Sequence, residues 1–248
     1  MPAFTGKIAL ITGGAGGIGS ETARLFAEMG AKGIVIADYN RAQGEEVAAS
    51  IERETGAKCL FVQVDIGKGA DIDRLFEEIQ AQFGELHALV NCAGVCPVIS
   101  IDDVDEKEWH RVMDINLTGA YLCCRRAFQM MREQKYGKIV NVSSISGRIG
   151  AIATGINYAS SKGGMMAMTM TLAKNAGPLG INVNAVAPGY IDTEMTRGFS
   201  HFDPQTVPMR RIGKPRDVAE VIAFLCEDRS SYITGVTLDI NGGVFMVG

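Results

Sequence analysis

Seven short apolar runs, rich in β-branched residues, recur along this chain of 248 residues, and most are separated by stretches of helical spacing. They read "KIALIT", "GIVIAD", "CLFVQVD", "ALVNCAG", "GKIVNVSS", "INVNAVAPG" and "GVTLDING". A run that is apolar at successive positions, not only at alternate ones, needs cover on both faces when it forms a strand. Strands joined through helices lie parallel, and right-handed crossovers put helices on both sides of the sheet. The expected architecture is α/β: a doubly wound, seven-stranded parallel sheet with helices on both faces. Helical spacing runs from the first glycine loop to about Gly30, then over about Asn40–Thr55, Ala70–Phe83, Trp109–Gln134, Ile156–Ala176 and Pro215–Cys226. No Pro/Gly-rich linker divides the chain, so residues 1–248 are read as a single domain.

Composition narrows the function. A hydrophobic content of 47% allows a sizeable core without disulfides or metal. Cys59, Cys92, Cys96, Cys123, Cys124 and Cys226 form no paired ligand spacing and read as small reduced core residues, as in a cytoplasmic protein. His87, His110 and His201 form no metal-ligand motif, so no metal is expected. A net charge of −4 gives no footprint for nucleic acid. No apolar run reaches the roughly 18 residues of a membrane span, and "MPAFTGKIALITGG" enters a strand without a signal-peptide pattern.

Three features carry chemistry. "TGGAGGIG", Thr12 to Gly19, follows the first strand and opens a helix. Glycines there let the backbone approach a pyrophosphate, and the helix N-terminus supplies N–H groups and a positive dipole end. Asp38 ends the second strand, where a carboxylate can accept from both ribose hydroxyls of NAD and repel a 2′-phosphate. Gly16 offers that phosphate no cation, so NAD is expected over NADP; Arg41, close by, is the residue that would serve NADP. Tyr158 stands four residues before Lys162 in "NYASSKGGM", which places a phenol and an ammonium on one helix face.

"TGGAGGIG", "NCAG", "NVSS", "YASSK" and "PGYIDT" occur in this order over nearly the whole chain. In this it resembles the short-chain dehydrogenase/reductase family, and most of all the 3-oxoacyl-[acyl-carrier-protein] reductase branch. The resemblance implies a Rossmann fold and a catalytic tetrad of Asn116, Ser144, Tyr158 and Lys162. It assigns cofactor contacts to Gly13, Gly17, Ile18 and Gly19 in the loop, and to Asp38, Asp65 and Ile66 at strand ends. Asn91, Ala93 and Gly94 of "NCAG" join them, with Cys92 a mild departure from the usual asparagine. Tyr158, Lys162, Pro188, Gly189, Ile191 and Thr193 complete the set. Of Ser143, Ser144 and Ser146, the second fits best: Ser146 lies beyond the strand end and Ser143 points to the other face. The resemblance also implies a homotetramer, with the helix carrying Met165, Met166, Met168 and Met170 at a subunit contact, and a short substrate lid at about 193–211.

These residues suit hydride transfer between a CH–OH carbon and a nicotinamide. A tyrosine of pKa ~10 is a weak base at neutral pH. A nearby ammonium favours its phenolate and brings it toward useful acid–base strength. Ser144 would hold the substrate oxygen, and Asn116 would anchor a water leading from Lys162.

The expected activity is NAD-dependent oxidation of a small secondary alcohol, polyol or hydroxy compound. The alternative is a 3-oxoacyl-thioester reductase. Asp38 speaks against it, as does Leu179 where a basic residue would help to bind an acyl-carrier protein, although Lys135 and Lys174 could substitute. A catalytically silent NAD(H)-binding protein is the third reading, disfavoured by the intact tetrad. Arg148 and Arg197 are candidate partners for an anionic substrate, and His201 lies in the lid. Pocket shape depends on residues around Val95, Ser146, Ile152, Tyr190 and Met195.

Overall fold

Parallel pairing organises the whole molecule. The computed structural model describes residues 3–150, 154–197, 199 and 203–247. Its strands are β1 (Ile8–Thr12), β2 (Gly33–Asp38), β3 (Lys58–Gln63), β4 (Ala88–Asn91), β5 (Gly137–Val142), β6 (Ile181–Pro188) and β7 (Thr237–Ile240). They form one sheet in the order β3-β2-β1-β4-β5-β6-β7, with every neighbouring pair parallel. The helices are α1 (Gly17–Glu28), α2 (Arg41–Thr55), α3 (Gly69–Gln82), α4 (Glu106–Met113), α5 (Gly119–Gln134), α6 (Ser146–Ile149), α7 (Ile156–Ala176) and α8 (Pro215–Cys226).

Successive strand residues point to opposite faces, so an uninterrupted apolar strand feeds two cores. Ile11, Ile34, Ile36, Val90 and Val140 pack with Phe26 of α1, Ile51 of α2 and Ile222 of α8. Leu10, Val35, Leu89 and Ile139 pack on the other face with Leu75 of α3, Cys123 and Cys124 of α5 and Ala173 of α7. Winding runs outward from β1 to β3 in one direction and from β4 to β7 in the other. The β1–β4 boundary is therefore the switch point, and loops at the carboxyl ends of these strands diverge to leave a crevice.

The helical region expected from Trp109 starts three residues earlier, at Glu106, because the Asp105 carboxylate caps it by accepting from the Glu108 N–H at 2.7 Å. It is also not uniform: it widens into a π-helical turn over Asp114–Thr118. A π turn inserts one residue into the 3.6-residue repeat, so apolar spacing averages over it. The short helix α6 was not anticipated either; four residues are too few for periodicity to register.

Gly119 opens α5 against the loop after β3. A Cβ there would stand 2.3 Å from the Ile66 carbonyl oxygen, a backbone atom with nowhere to move. Gly177, by contrast, has right-handed backbone angles and nothing within 4 Å of its Cβ position. Gly119→Ala should lower unfolding free energy by about 1–3 kcal/mol, whereas Gly177→Ala, with open space around it but Pro178 after it to disfavour right-handed angles on a residue with a Cβ, should change it by less than about 1 kcal/mol. Urea denaturation midpoints check both.

Candidate active site

One cavity runs across the carboxyl ends of β1, β2, β4, β5 and β6. Its lining includes Gly13, Gly17, Ile18, Asp38, Ala93, Gly94, Ser144, Tyr158, Lys162, Pro188, Gly189, Ile191 and Thr193. Distant parts of the sequence therefore meet here as expected, from the glycine loop to "PGYIDT".

The glycine loop is built by close approach. Gly13 has φ +66°, and a Cβ on it would lie 2.7 Å from the Ala93 nitrogen. Gly19 is buried behind the loop, where a Cβ would lie 2.1 Å from the Gly13 carbonyl oxygen. Thr12 joins this loop to "NCAG": its hydroxyl accepts from the Cys92 and Ala93 N–H groups, both at 3.2 Å. No side chain caps the N-terminus of α1, which opens at Gly17 beside the cavity. Its first N–H groups and dipole end thus present an anion site, the donor chemistry that a dinucleotide's pyrophosphate requires.

Asp38 holds the far end. One of its carboxylate oxygens accepts from the Ala15 N–H at 3.0 Å and the other from the Asn40 N–H at 2.9 Å. Each oxygen keeps a lone pair for a hydroxyl. Arg41 is turned to Gln63 and Glu45, at 3.2 Å from each.

At the near end, Lys162 is buried, and its ammonium donates to the Val142 carbonyl at 2.8 Å. Burial lowers its pKa to about 8. The same ammonium lies 5.7 Å from the Tyr158 ring centroid. Burial raises the Tyr158 pKa, and the neighbouring Cys96 thiol adds to this, while the Ser144 hydroxyl draws it down by hydrogen bonding to the phenol. Ser144 and Ser143 both border the cavity, but they are not equivalent. The Ser143 hydroxyl donates to the Lys162 carbonyl at 2.7 Å, so it fixes α7 to the end of β5. The Ser144 hydroxyl accepts from the Ser146 N–H at 3.1 Å and keeps its own proton for Tyr158 or a ligand. Ser146 itself is buried in the first turn of α6.

Five assigned residues lie outside the lining: Gly19, buried behind the loop, and Asn116, Asn91, Asp65 and Ile66. Asn116, carried inward by the π turn, is buried and clasps Val95: its carbonyl accepts from the Val95 N–H at 2.8 Å and its amide donates to the Val95 carbonyl at 2.9 Å. A Cβ on Gly94 would meet the Asn116 Oδ1 at 3.2 Å and the Lys162 Nζ at 3.5 Å, so these groups crowd around one backbone point. Asn91, at the end of β4, is buried, and its side-chain amide donates to the Asn141 Oδ1 on β5 at 2.8 Å. Asp65 accepts from the Gly67 N–H at 3.1 Å and pairs with Lys68 at 3.2 Å, and Ile66 is buried.

The structure also brings in residues that sequence reasoning passed over. Gln43 and Thr196 border the cavity, and Cys96 reaches the Tyr158 hydroxyl. Gln43 lies in the first turn of α2, three residues after the capping Asn40, and that spacing was the only signal available. Arg148 is committed to Asp239 at 3.3 Å and the Thr237 carbonyl at 3.0 Å, and Arg197 pairs with Asp192 at 3.5 Å. Ile152 and His201 lie outside the described residues. Among the described residues, no group of three or more His, Cys, Asp or Glu is placed to hold a metal ion, and no helix is long and apolar enough to cross a membrane.

A crevice at the switch point, a glycine loop under a helix end and a Tyr–Lys–Ser cluster together define a Rossmann-type oxidoreductase site. A family model described as enoyl-(acyl carrier protein) reductase matches residues 13–245. A cis-4-hydroxycyclohexanecarboxylate dehydrogenase from Sinomonas cyclohexanicum is 39% identical over 97% of both chains. A 3-oxoacyl-[acyl-carrier-protein] reductase from Escherichia coli is 36% identical over 98% of this chain and 99% of its own. A short-chain type dehydrogenase/reductase from Mycobacterium marinum superposes with a TM-score of 0.93 at 30% identity, over 98% of this chain and 97% of that one. The chain belongs to the short-chain dehydrogenase/reductase family, oxidoreductases that act on CH–OH groups with a nicotinamide cofactor.

The Gly19 contact yields a direct check. Gly19→Ala should fold but displace the loop, weakening NADH and NADPH alike by at least about tenfold, the size of one lost charged hydrogen bond. Titration followed by cofactor fluorescence measures it.

Proposed function

We propose that the chain is an NAD(H)-dependent dehydrogenase of a compact secondary alcohol, with Asn116, Ser144, Tyr158 and Lys162 as its catalytic set. The observation that carries this reading is the polarity of this cavity. Its reacting end holds a phenol, a hydroxyl and an ammonium, and its other end holds the Asp38 carboxylate.

The bound nicotinamide would supply the hydride acceptor or donor. The chain's own residues bind, orient and move the proton. Gly13, Gly17, Ile18 and Gly19 would shape the pyrophosphate cradle, with Ala93 and Gly94 along its floor. Pro188, Gly189, Ile191 and Thr193 would flank the nicotinamide, and Asp38 would accept from ribose hydroxyls. Asp65 and Ile66 would border the adenine, and Asn91 would brace the sheet below. Ser144 donates to the substrate oxygen and holds it against Tyr158. Tyr158 takes the hydroxyl proton during oxidation and returns it during reduction. Lys162 supports the phenolate electrostatically. Asn116 sets the Val95 backbone and thereby the wall beside Tyr158.

The described surface around the reacting end favours an uncharged body. Val98, Ile149, Ile156 and Met195 are exposed apolar residues on the segments that flank Ser144, Tyr158 and the lid at 193–211. The nearby arginines, Arg148 and Arg197, are already paired. The Sinomonas relative is named for a substrate whose hydroxyl sits on a ring carbon and whose ring also bears a carboxylate, so ring alcohols, uncharged and carboxylated, are the class to test first. We place the protein in the cytoplasm as a homotetramer, without nucleic-acid or membrane partners. Tyr121 and Met170, exposed on α5 and α7, supply apolar contacts for that assembly.

The 3-oxoacyl-thioester reductase is the second reading, supported by the reductase relatives and by exposed Lys135 and Lys174, which could meet an acidic carrier protein. NAD⁺ reduction across ring alcohols, polyols, sugars and hydroxy acids, run beside acetoacetyl-thioester reduction with NADH and NADPH, separates the two. Turnover of an alcohol with NAD⁺ is expected; activity on the thioester alone, with NADPH preferred, would contradict the proposal. Tyr158→Phe should lower kcat/KM by about 10²–10⁴-fold, and full activity in that variant would remove Tyr158 from its role.

A further inference from the structure

Asp38 is not alone at its end of the cavity. Gln43, in the first turn of α2, borders the same space as Asp38, Ala15 and Gly16. Its carboxamide is oriented by Asn40. The Asn40 side-chain oxygen accepts from the Gln43 backbone N–H at 3.3 Å, and the Asn40 amide donates to the Gln43 Oε1 at 3.1 Å. With its oxygen engaged, Gln43 turns its NH₂ toward the glycine loop. A Cβ on Gly16 would lie 3.3 Å from the Gln43 Nε2 and 3.9 Å from its Cδ. The amide therefore fills the place that a side chain at position 16 would take.

Charge completes the picture. Among the described residues lining the cavity, Lys162 is the one cation, and it stands at the reacting end. Arg41, the nearest candidate at the other end, is held by Gln63 and Glu45. A group entering between Asp38 and Gln43 meets an acceptor that is charged and a donor that is neutral. Two ribose hydroxyls satisfy both, since a hydroxyl donates and accepts. A 2′-phosphate brings about −1.5 to −2 charges, and nothing there compensates them.

We propose that Gln43 is a selectivity-determining residue, which acts with Asp38 to admit an unphosphorylated adenosine ribose and to exclude a 2′-phosphate. This rests on reading the cavity as an NAD(H) site. It fits the glycine at position 16, where a larger side chain would press on the Gln43 amide.

The test is the ratio of dissociation constants for NADPH and NADH, measured by cofactor fluorescence on the full chain without substrate. Wild type, Gln43→Lys, Gln43→Glu and Asp38→Asn are compared, with thermal melts to establish that each is folded. Gln43→Lys should lower the NADPH/NADH ratio by about tenfold or more, the size of one charge-assisted contact. Gln43→Glu should raise it, and Asp38→Asn should lower it. Folded Gln43→Lys and Gln43→Glu variants that both leave the ratio within about twofold of wild type would overturn the role of Gln43, with Asp38 untouched. A wild type that binds NADPH more tightly than NADH would overturn the NAD(H) reading itself, and this proposal with it.

Discussion

A buried ammonium anchors this site. Removing the Lys162 charge from water is costly, and its pKa falls to about 8 for that reason. The fold offsets part of the cost with the Val142 carbonyl at the end of β5. That hydrogen bond is one of those that tie α7 to the sheet, and the groups around it keep the ammonium in place. Ser143 donates to the Lys162 carbonyl, Gly94 leaves room beside the Nζ, and Asn116 holds the Val95 segment that closes the wall. Tyr158, one turn earlier on α7, inherits its position from the same attachment. A surface lysine at this spacing would have none of these partners.

The cavity then follows from topology. In a parallel sheet all carboxyl ends share one edge, so loops from β1, β2, β4, β5 and β6 converge there without any long excursion of the chain. The glycine loop and Asp38 come from one half of the winding, and Ser144, Tyr158 and "PGYIDT" come from the other. The two halves meet at the β1–β4 boundary, where Thr12 bonds the Cys92 and Ala93 N–H groups across it. The alignment of the two cavity ends is thus a property of the sheet, and neither half could supply it alone.

Much of this was legible in the residues. All seven strands and six of the helices followed from apolar runs and their spacing, because strands covered on both faces and helices of three turns or more leave strong patterns. Tyr158 and Lys162 were readable because four residues on a helix is a fixed distance. The tertiary contacts were not. No local pattern announces the π turn that carries Asn116 to Val95, or the bond from Arg148 to Asp239, which spans 91 residues and occupies that guanidinium. Gln43 was invisible for a related reason. Its contribution comes from a helix cap orienting a side chain over a glycine, and a sequence shows the cap but not the direction in which the amide faces.

The central claim is that Lys162 acts on Tyr158 through its charge. Burial holds the phenol's pKa above its ordinary value, so proton abstraction from an alcohol needs a cation close by. The decisive measurement is the pH dependence of kcat/KM for alcohol oxidation in wild type and in Lys162→Met. The rate should rise with pH along a limb set by proton loss from the coupled Tyr158–Lys162 pair, in which the ammonium favours the phenolate. Removing the ammonium should move that limb upward by about one unit or more, while an uncharged variant that lowers the rate equally at every pH and leaves the limb in place would contradict the account.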